Sequence, residues 1–206
     1  MKRFYARVLF PRLLDFLMDR PAFAERRRGL LADARGKTLE LGAGTGLNFP
    51  HYPCHVEHVT AVDINDAMPR RATRRREEAC VDIAHVTLDG ARLPMPDGSF
   101  DTVVSAWTLC SVADVASALR EVRRVLKPEG RFLFLEHGLS VDPAVRRWQR
   151  WLNRLNRIVG DGCTLDRDIP ALIRESGLSI ERLEVFALPS APSLYATHYR
   201  GIAGRA

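Results

Sequence analysis

Glu40-Leu41-Gly42-Ala43-Gly44-Thr45-Gly46 puts a carboxylate and three glycines directly after a short apolar run. Asp63 closes the next such run, His58-Val59-Thr60-Ala61-Val62-Asp63. Glycines let the backbone turn sharply and let a ligand come close where a Cβ would clash. A carboxylate at a strand end accepts hydrogen bonds from the two hydroxyls of a ribose. The dinucleotide fingerprint G-x-G-x-x-G follows the same logic around a pyrophosphate. Here the third glycine comes one residue early and Glu40 precedes the first. A pyrophosphate gains nothing from a nearby carboxylate, whereas the ammonium of a methionine moiety does. The loop therefore reads as a site for S-adenosylmethionine rather than for NAD. Taken alone, it is equally a tight strand-to-helix connection.

The elements that must position these groups alternate between strand and helix. Strands are expected at 37–41, 58–63, 84–88, 100–106 and 131–136, with helices at 66–79 and 113–127. Asp114 places an acid at the start of the second helix, where the helix dipole favours it. Lys127-Pro128-Glu129-Gly130 ends that helix with a breaker and a glycine turn. After Glu136 the pattern changes. Pro143 to Ile158 reads as a basic amphipathic helix bearing Trp148, Trp151, Leu152 and Leu155. A short helix near 168–176 and two closing strands, Ser179 to Ala187 and Leu194 to Ala203, complete the chain. Residues 2–35 read as helical, broken near Pro11 and near Pro21, with Val8, Leu9, Leu13, Phe16 and Leu17 at helical spacing. Alternation of this kind means an α/β fold, a doubly wound, mainly parallel seven-stranded sheet with helices on both faces. The expected organisation is an N-terminal helical extension or lid over 1–35 and a ligand-binding domain over 36–206.

Four later segments stand in order with the glycine loop: Val86 to Asp101, Thr102 to Trp107, Glu121 to Gly130 and Arg131 to Glu136. Together they resemble the class I S-adenosylmethionine-dependent methyltransferases of the broad group that includes ubiquinone and menaquinone methyltransferases. The resemblance runs from about Lys37 to Glu136. It implies a Rossmann-like sheet whose last strand is antiparallel. It also implies roles residue by residue within the loop 42–46, Ala43 and Gly46 included. Glu40 and Gly42 would face the methionine end, and Gly44 would lie against the adenosine. Asp63 would hold the ribose, and Ile64 would lie on the adenine. Asp89 would accept from the exocyclic amine, with the Gly90 N–H toward the ring, and Trp107 would line the donor pocket. Singly, Asp63 and Asp89 are also common turn or cap residues.

Trp107 to Val112, Phe134 to His137, Asp161 to Asp168 and the stretch Tyr195 to Gly201 are similar to a narrower group. That group holds membrane-associated thiol S-methyltransferases and relatives labelled phospholipid N-methyltransferases. The expected acceptor is a small lipophilic molecule, a thiol first, a phospholipid amine second and a quinone-like carbon or hydroxyl third. Methyl transfer from a sulfonium is an in-line displacement, so alignment and exclusion of water dominate. His137 is a candidate general base, its alternative being a hydrogen-bonding residue at the strand edge. Cys110 is expected to pack rather than react. A cofactor-binding protein without turnover is the non-enzymatic alternative.

Composition narrows the remaining classes. The 206 residues are 46% hydrophobic, enough for one well-buried domain, and no run approaches the roughly 18 apolar residues of a membrane span. Met1 to Pro11 carries charges inside its apolar part and lacks a small-residue cleavage site, unlike a signal peptide. The net charge of +6 comes from arginine clusters at 70–76 and 146–157. Glu77 and Glu78 follow the first cluster without exposed aromatics, so solvated helix faces are expected rather than nucleic-acid binding. The segment from Lys2 to Arg20 could touch an anionic membrane. Cys54, Cys80, Cys110 and Cys163 contain no C-x-x-C pair, which suits reduced thiols in a cytoplasmic protein. His51, His55 and His58 have the spacing of metal ligands on a helix, but Pro53 interrupts it, so no metal is expected.

Overall fold

The structure is a computed structural model that describes residues 9–66, 68–189 and 191–206. Val8 of the expected N-terminal stripe lies outside the described residues. Seven strands form one sheet: β1 (Gly36–Leu41), β2 (Val56–Asp63), β3 (Ile83–Thr87), β4 (Phe100–Ala106), β5 (Leu126–His137), β6 (Leu178–Ala187) and β7 (Thr197–Arg205). Their order is β3-β2-β1-β4-β5-β7-β6. The first five run parallel, and β7 is antiparallel to both β5 and β6. The chain winds outward from β1 to β3 and then returns to β4 on the other side of β1. Ligands of open α/β sheets bind at such a reversal, beyond the carboxyl ends of the strands.

Among the described residues, six α-helices accompany the sheet: α1 (Phe10–Met18), α2 (Pro21–Leu31), α3 (Met68–Glu77), α4 (Val115–Val125), α5 (Pro143–Val159) and α6 (Ile169–Glu175). Alternation along β5 feeds both faces of the sheet. Phe132 and Phe134 pack with Leu119, Val122, Ile169 and Ile173 of α4 and α6. Leu133 and Leu135 pack on the other face with Leu30, Leu31 and Ala72 of α2 and α3. This period-two split is what a strand buried on both faces requires.

Three local features depart from expectation. Pro11 does not break α1 but sits in its first turn, where a missing N–H costs nothing. The strand expected from 131 begins at Leu126, which pairs with Phe100 before an irregularity restores the register at Thr102 and Arg131. The turn at 127–130 therefore interrupts the ladder from within. Finally, Cys54 and Cys80 are joined in a disulfide, overturning the expectation that these two are free thiols. The turn before β2 and the end of the α3 connection meet at the sheet edge, with Cα atoms 5.2 Å apart. Sequence spacing alone does not report that proximity.

Helix α5 is amphipathic in an inverted sense. Its inward face is a row of amides. Buried Gln149 accepts from the Ser140 N–H at 2.9 Å and donates to the carbonyls of Gly138 and Leu194 at 3.1 and 2.9 Å. Asn153 donates to Asp166 and accepts from the Leu165 N–H. Asn156 donates to the Cys163 carbonyl and accepts from the Tyr195 hydroxyl. Trp148, Trp151, Leu155 and Ile158 point outward instead, Trp151 being 72% exposed. Gln149→Leu strands one buried N–H and two carbonyls, each worth about 1–3 kcal/mol when unmet. We expect urea unfolding of this variant to show a loss of roughly 3 kcal/mol, although leucine is the better helix former. An unchanged midpoint would refute that role for Gln149.

Candidate functional site

The glycine loop leaves β1 with Gly42 and Gly44 at φ +64° and +54°. A Cβ on Gly42 would collide with Thr108, 2.2 Å from its Cγ2, so this glycine lets the loops after β1 and β4 meet. A Cβ on Gly44 would meet nothing nearer than 3.9 Å, so its outer side is open. Beside it lies a pocket of about 70 Å³ lined by Gly42, Ala43, Gly44, Asn48, Arg27 and Trp107, among others. Gly46 faces inward, where the Phe49 ring leaves no room for a Cβ. Trp107 itself has φ +52°, a strained conformation for a bulky residue, held by its N–H on the Leu135 carbonyl at 2.7 Å.

The other expected residues lie at neighbouring strand ends. Asp63 accepts from the Gly44 and Asn65 N–H groups, each at 2.8 Å, which fixes both carboxylate oxygens beside the loop. Burial raises its pKa, and those two N–H bonds oppose the rise. Ile64 is 73% exposed, an apolar side chain left standing beside Asp63. The Leu88 N–H donates to the Asp63 carbonyl, which brings exposed Asp89 alongside; Asp89 accepts from the Ala91 N–H. Gly90 approaches the Leu41 side chain.

Glu40 lies beneath the loop rather than in the pocket wall. It is fully buried and accepts from Asn48 Nδ2 at 2.8 Å and the Tyr52 hydroxyl at 2.7 Å. Burial pushes its pKa up to about 7 against those two bonds and the nearby Arg27 charge. Two functional residues escaped sequence reasoning. Arg27 is buried, stacks over Trp107 at 4.7 Å and donates to the Met18 carbonyl, and burial lowers its pKa to about 10. In sequence it is one arginine among three, Arg26 to Arg28. Asn48 carries Glu40 to the pocket, and no motif marks it.

Helix α1 lies across the loop. Leu14 and Met18 line the pocket, and Asp15 receives the Thr45 hydroxyl. Arg75 of α3 bridges Asp15, Asp19 and the Thr45 carbonyl at 3.2, 2.9 and 3.0 Å. Its apolar stripe is not spent on the core: Leu13, Phe16 and Leu17 are exposed.

A second set of groups gathers at the end of β5. Buried Glu136 accepts from the Ser105 hydroxyl and from the Thr108 and Leu109 N–H groups. Burial, then the charge of Cys110, raises its pKa to about 7. His137 Nε2 lies 3.1 Å from Cys163 Sγ, and the Cys110 sulfur is within 4.8 Å of both. Hydrogen bonding to Cys163 pulls the Cys110 thiol well down despite burial and pushes Cys163 up. Burial depresses His137, yet the Cys110 charge leaves its pKa raised. The arrangement brings two sulfurs and an imidazole into one buried contact, with Cys110 also packed in the core. By contrast, His55 contacts the Ala34 carbonyl and His58 pairs with Asp82, so the expected histidine spacing gathers no common point. Chemically soft ligands converge instead on Cys110, His137 and Cys163.

Residues 39–134 match the family described as a methyltransferase domain. The chain is 33% identical to the uncharacterized methyltransferase YcgJ of Bacillus subtilis over 82% of its own length and 65% of that protein. It is 36% identical to thiol S-methyltransferase TMT1B of Rattus norvegicus, covering 71% of this chain and 61% of the relative. For human thiol S-methyltransferase TMT1A the figures are 32%, 80% and 69%. The chain thus spans about two-thirds of the length of these curated relatives. The YcgJ crystal structure superposes with a TM-score of 0.63 at 21% identity, covering 87% of this chain and 96% of that one. The domain match, these identities and the shared fold place the chain in one family: it belongs to the class I S-adenosylmethionine-dependent methyltransferases.

Proposed function

We propose that the protein transfers the methyl group of S-adenosylmethionine to a small lipophilic thiol. The observation that carries the reading is the convergence of the open Gly44 turn, paired Asp63 and the Trp107 pocket at the sheet's reversal point. The pocket of about 70 Å³ beside the glycine loop is where the methionine end of such a donor would sit. Asp63, Ile64, Asp89 and Gly90 then receive the adenosine along the adjoining strand ends. When bound, the donor supplies a sulfonium-activated methyl group. Gly42, Gly44 and Trp107 shape the methionine pocket, while Glu40, through Asn48, supplies negative potential beneath it. Helix α1, with its side chains Leu14 and Met18, acts as the lid that excludes water.

The thiol acceptor draws on the naming of the relatives as thiol S-methyltransferases. His137 contacts Cys163 through Nε2, and an acidic enough acceptor does without a dedicated base. Thiols ionise near 8.5 and need only a modest electrostatic shift. A phospholipid amine is the second reading.

Lipophilic acceptors reach the site from a membrane surface in this reading. No helix among the described residues is long and apolar enough to cross one. Exposed Trp148, Trp151, Leu155 and Ile158 of α5 are interleaved with exposed Arg147, Arg150, Arg154 and Arg157, the composition of an interfacial helix. Phe16 of α1, 72% exposed, adds to it.

Three measurements test these assignments. Asp63→Ala should weaken S-adenosylhomocysteine binding about ten- to hundredfold in calorimetry, the loss of roughly 1.5–3 kcal/mol of charge-assisted hydrogen bonding. A folded variant with unchanged affinity would sink the ribose assignment. An acceptor panel of alkyl and aryl thiols, amines, phospholipids and phenols should give methyl transfer to thiols first, and silence on thiols with activity on amines would select the second reading. Replacing Trp148 and Trp151 by serine should cut co-sedimentation with anionic vesicles at least about tenfold, as expected for losing buried aromatic area. Retention of binding would place the contact elsewhere.

Glu40 gives a pH signature of its own. A carboxyl whose folded pKa of about 7 exceeds its ordinary 4.5 holds its proton more tightly when folded. Its contribution to stability is complete below about pH 4.5 and is lost as pH rises through 7, a change of about 3 kcal/mol. A bound ammonium favours the ionised form, so donor affinity should rise over the same interval. Glu40→Gln keeps a partner for Tyr52 and Asn48 and should flatten both dependences. If urea unfolding and calorimetry at pH 5 and 8 show the same slopes in the variant, Glu40 is not the titrating group.

A further inference from the structure

We propose that Cys110, His137 and Cys163 bind one thiophilic divalent ion, Zn²⁺ in the first instance, and leave a fourth position for a thiolate. The inference departs from the metal-free expectation, which rested on other histidines and on the absence of a C-x-x-C pair. Its last part rests on the thiol reading above.

The three donors come from three separate elements: the loop after β4, the end of β5 and the turn after α5. Their ligand atoms all lie within 4.8 Å of one another. Neighbouring ligands of a tetrahedral zinc, at bond lengths of about 2.0–2.3 Å, stand roughly 3.5–3.8 Å apart. Small side-chain rotations therefore suffice. The supporting backbone is fixed independently of any ion. The Thr164 N–H and hydroxyl both donate to the Cys110 carbonyl, at 2.9 and 2.8 Å, tying the two cysteine segments together. Asn156 of α5 holds the Cys163 carbonyl at 2.8 Å, and the turn before it uses φ +48° at Asp161 and +96° at Gly162. A conformation that L side chains avoid is thus spent on presenting Cys163.

A second observation points to a missing partner. His137 is 5% exposed, yet its Nδ1 has no hydrogen-bond partner, and neither does Oε2 of fully buried Glu136 next to it. Buried polar atoms are normally satisfied, and each exception asks for a reason. A cation at the cluster supplies one for the carboxylate, because it places positive charge near Glu136; bound at Nε2 it would also fix the His137 tautomer with its proton on Nδ1. Binding balances simply. Each thiol gives up its proton to solvent, neutral imidazole donates its Nε2 pair, and a dication with two thiolates is a neutral buried unit. Two cysteines and one histidine form a ligand set that in zinc enzymes keeps an open coordination site. Cys163 and Tyr195, whose ring packs 5.4 Å from His137, are the partly exposed side of the cluster, and α5 borders it there. A thiol entering past α5 would lose its proton to form the fourth ligand.

Cobalt is the probe. Titrating Co²⁺ into the full chain, with the free thiols kept reduced by a phosphine, should give one equivalent bound. It should show a thiolate-to-metal charge-transfer band and the intense visible bands of a tetrahedral ion, all abolished by added Zn²⁺. Cys163→Ser, an isosteric change at a partly exposed position, should halve the charge-transfer band. His137→Gln should keep the band while weakening binding at least about tenfold, the scale on which metal-site changes act. Adding benzyl mercaptan to the wild-type cobalt form should strengthen the band by one further thiolate. No band in the wild type, or a band indifferent to Cys163→Ser, overturns the site, and the second outcome would direct attention to Cys54 and Cys80. A band that benzyl mercaptan leaves unchanged overturns the open position alone. These readouts do not depend on turnover. Metal binding without any thiol methylation in the acceptor panel would leave the site standing and remove the thiol function.

Discussion

One buried carboxylate holds the two halves of the site in register. Glu136 ends the parallel part of β5 and accepts three hydrogen bonds, from Ser105 in β4 and from the N–H groups of Thr108 and Leu109 beyond it. Those bonds fix the turn in which Trp107 takes its left-handed conformation. The Thr108 hydroxyl then donates to the Gly42 carbonyl at 3.2 Å, which docks the glycine loop. Cys110 follows two residues later, and His137 follows Glu136 directly. A carboxylate with several backbone donors resists displacement, because each stranded N–H would cost desolvation. Its geometry is therefore imposed on both the donor pocket and the sulfur cluster.

This arrangement separates alignment from activation. The pocket beside Gly44 is built from the glycine-loop backbone, Trp107, Arg27 and apolar side chains of α1, with Glu40 held underneath on Asn48 and Tyr52. Nothing in its wall is a strong base, which suits a displacement that needs positioning above all. The groups able to alter protonation lie across Trp107, whose ring is 6.0 Å from His198, with His137 a further 6.5 Å on.

How much of this was legible beforehand depended on whether a signal was local. The strand ends at Leu41, Asp63 and Ala106, and the start of α5 at Pro143, follow from alternation, glycine turns and proline, all short-range chemistry. The glycine loop and Asp63 were legible for the same reason. Asp114 was expected in the first turn of α4 and proves to be its cap, accepting from the Ser117 N–H. What escaped was made by tertiary contact. Arg27 resembles its exposed neighbours until α2 folds it over Trp107. Cys54 and Cys80 meet only because two edges of the sheet region coincide. The Cys110, His137 and Cys163 cluster joins residues from three elements, and C-x-x-C spacing was the wrong template for it.

The inverted face of α5 shows the limit of periodicity most directly. Its hydrophobic and polar positions alternate at helical spacing, which predicts a helix and says nothing about which face turns inward. In a small soluble domain the default places Trp148 and Trp151 in the core, since each buries a large apolar area. Here Gln149, Asn153 and Asn156 occupy that side because irregular loops after β5 and α5 present carbonyls and N–H groups that no strand can satisfy. Amides meet that demand and tryptophans cannot. The apolar stripe is then left outside as a geometric consequence. A sequence that tolerates five exposed large apolar side chains on one helix is carrying them against solubility. The loop that α5 supports through Asn156 is the one that presents Cys163. The helix that faces outward with its tryptophans is therefore the same helix that orders the Cys163 loop within.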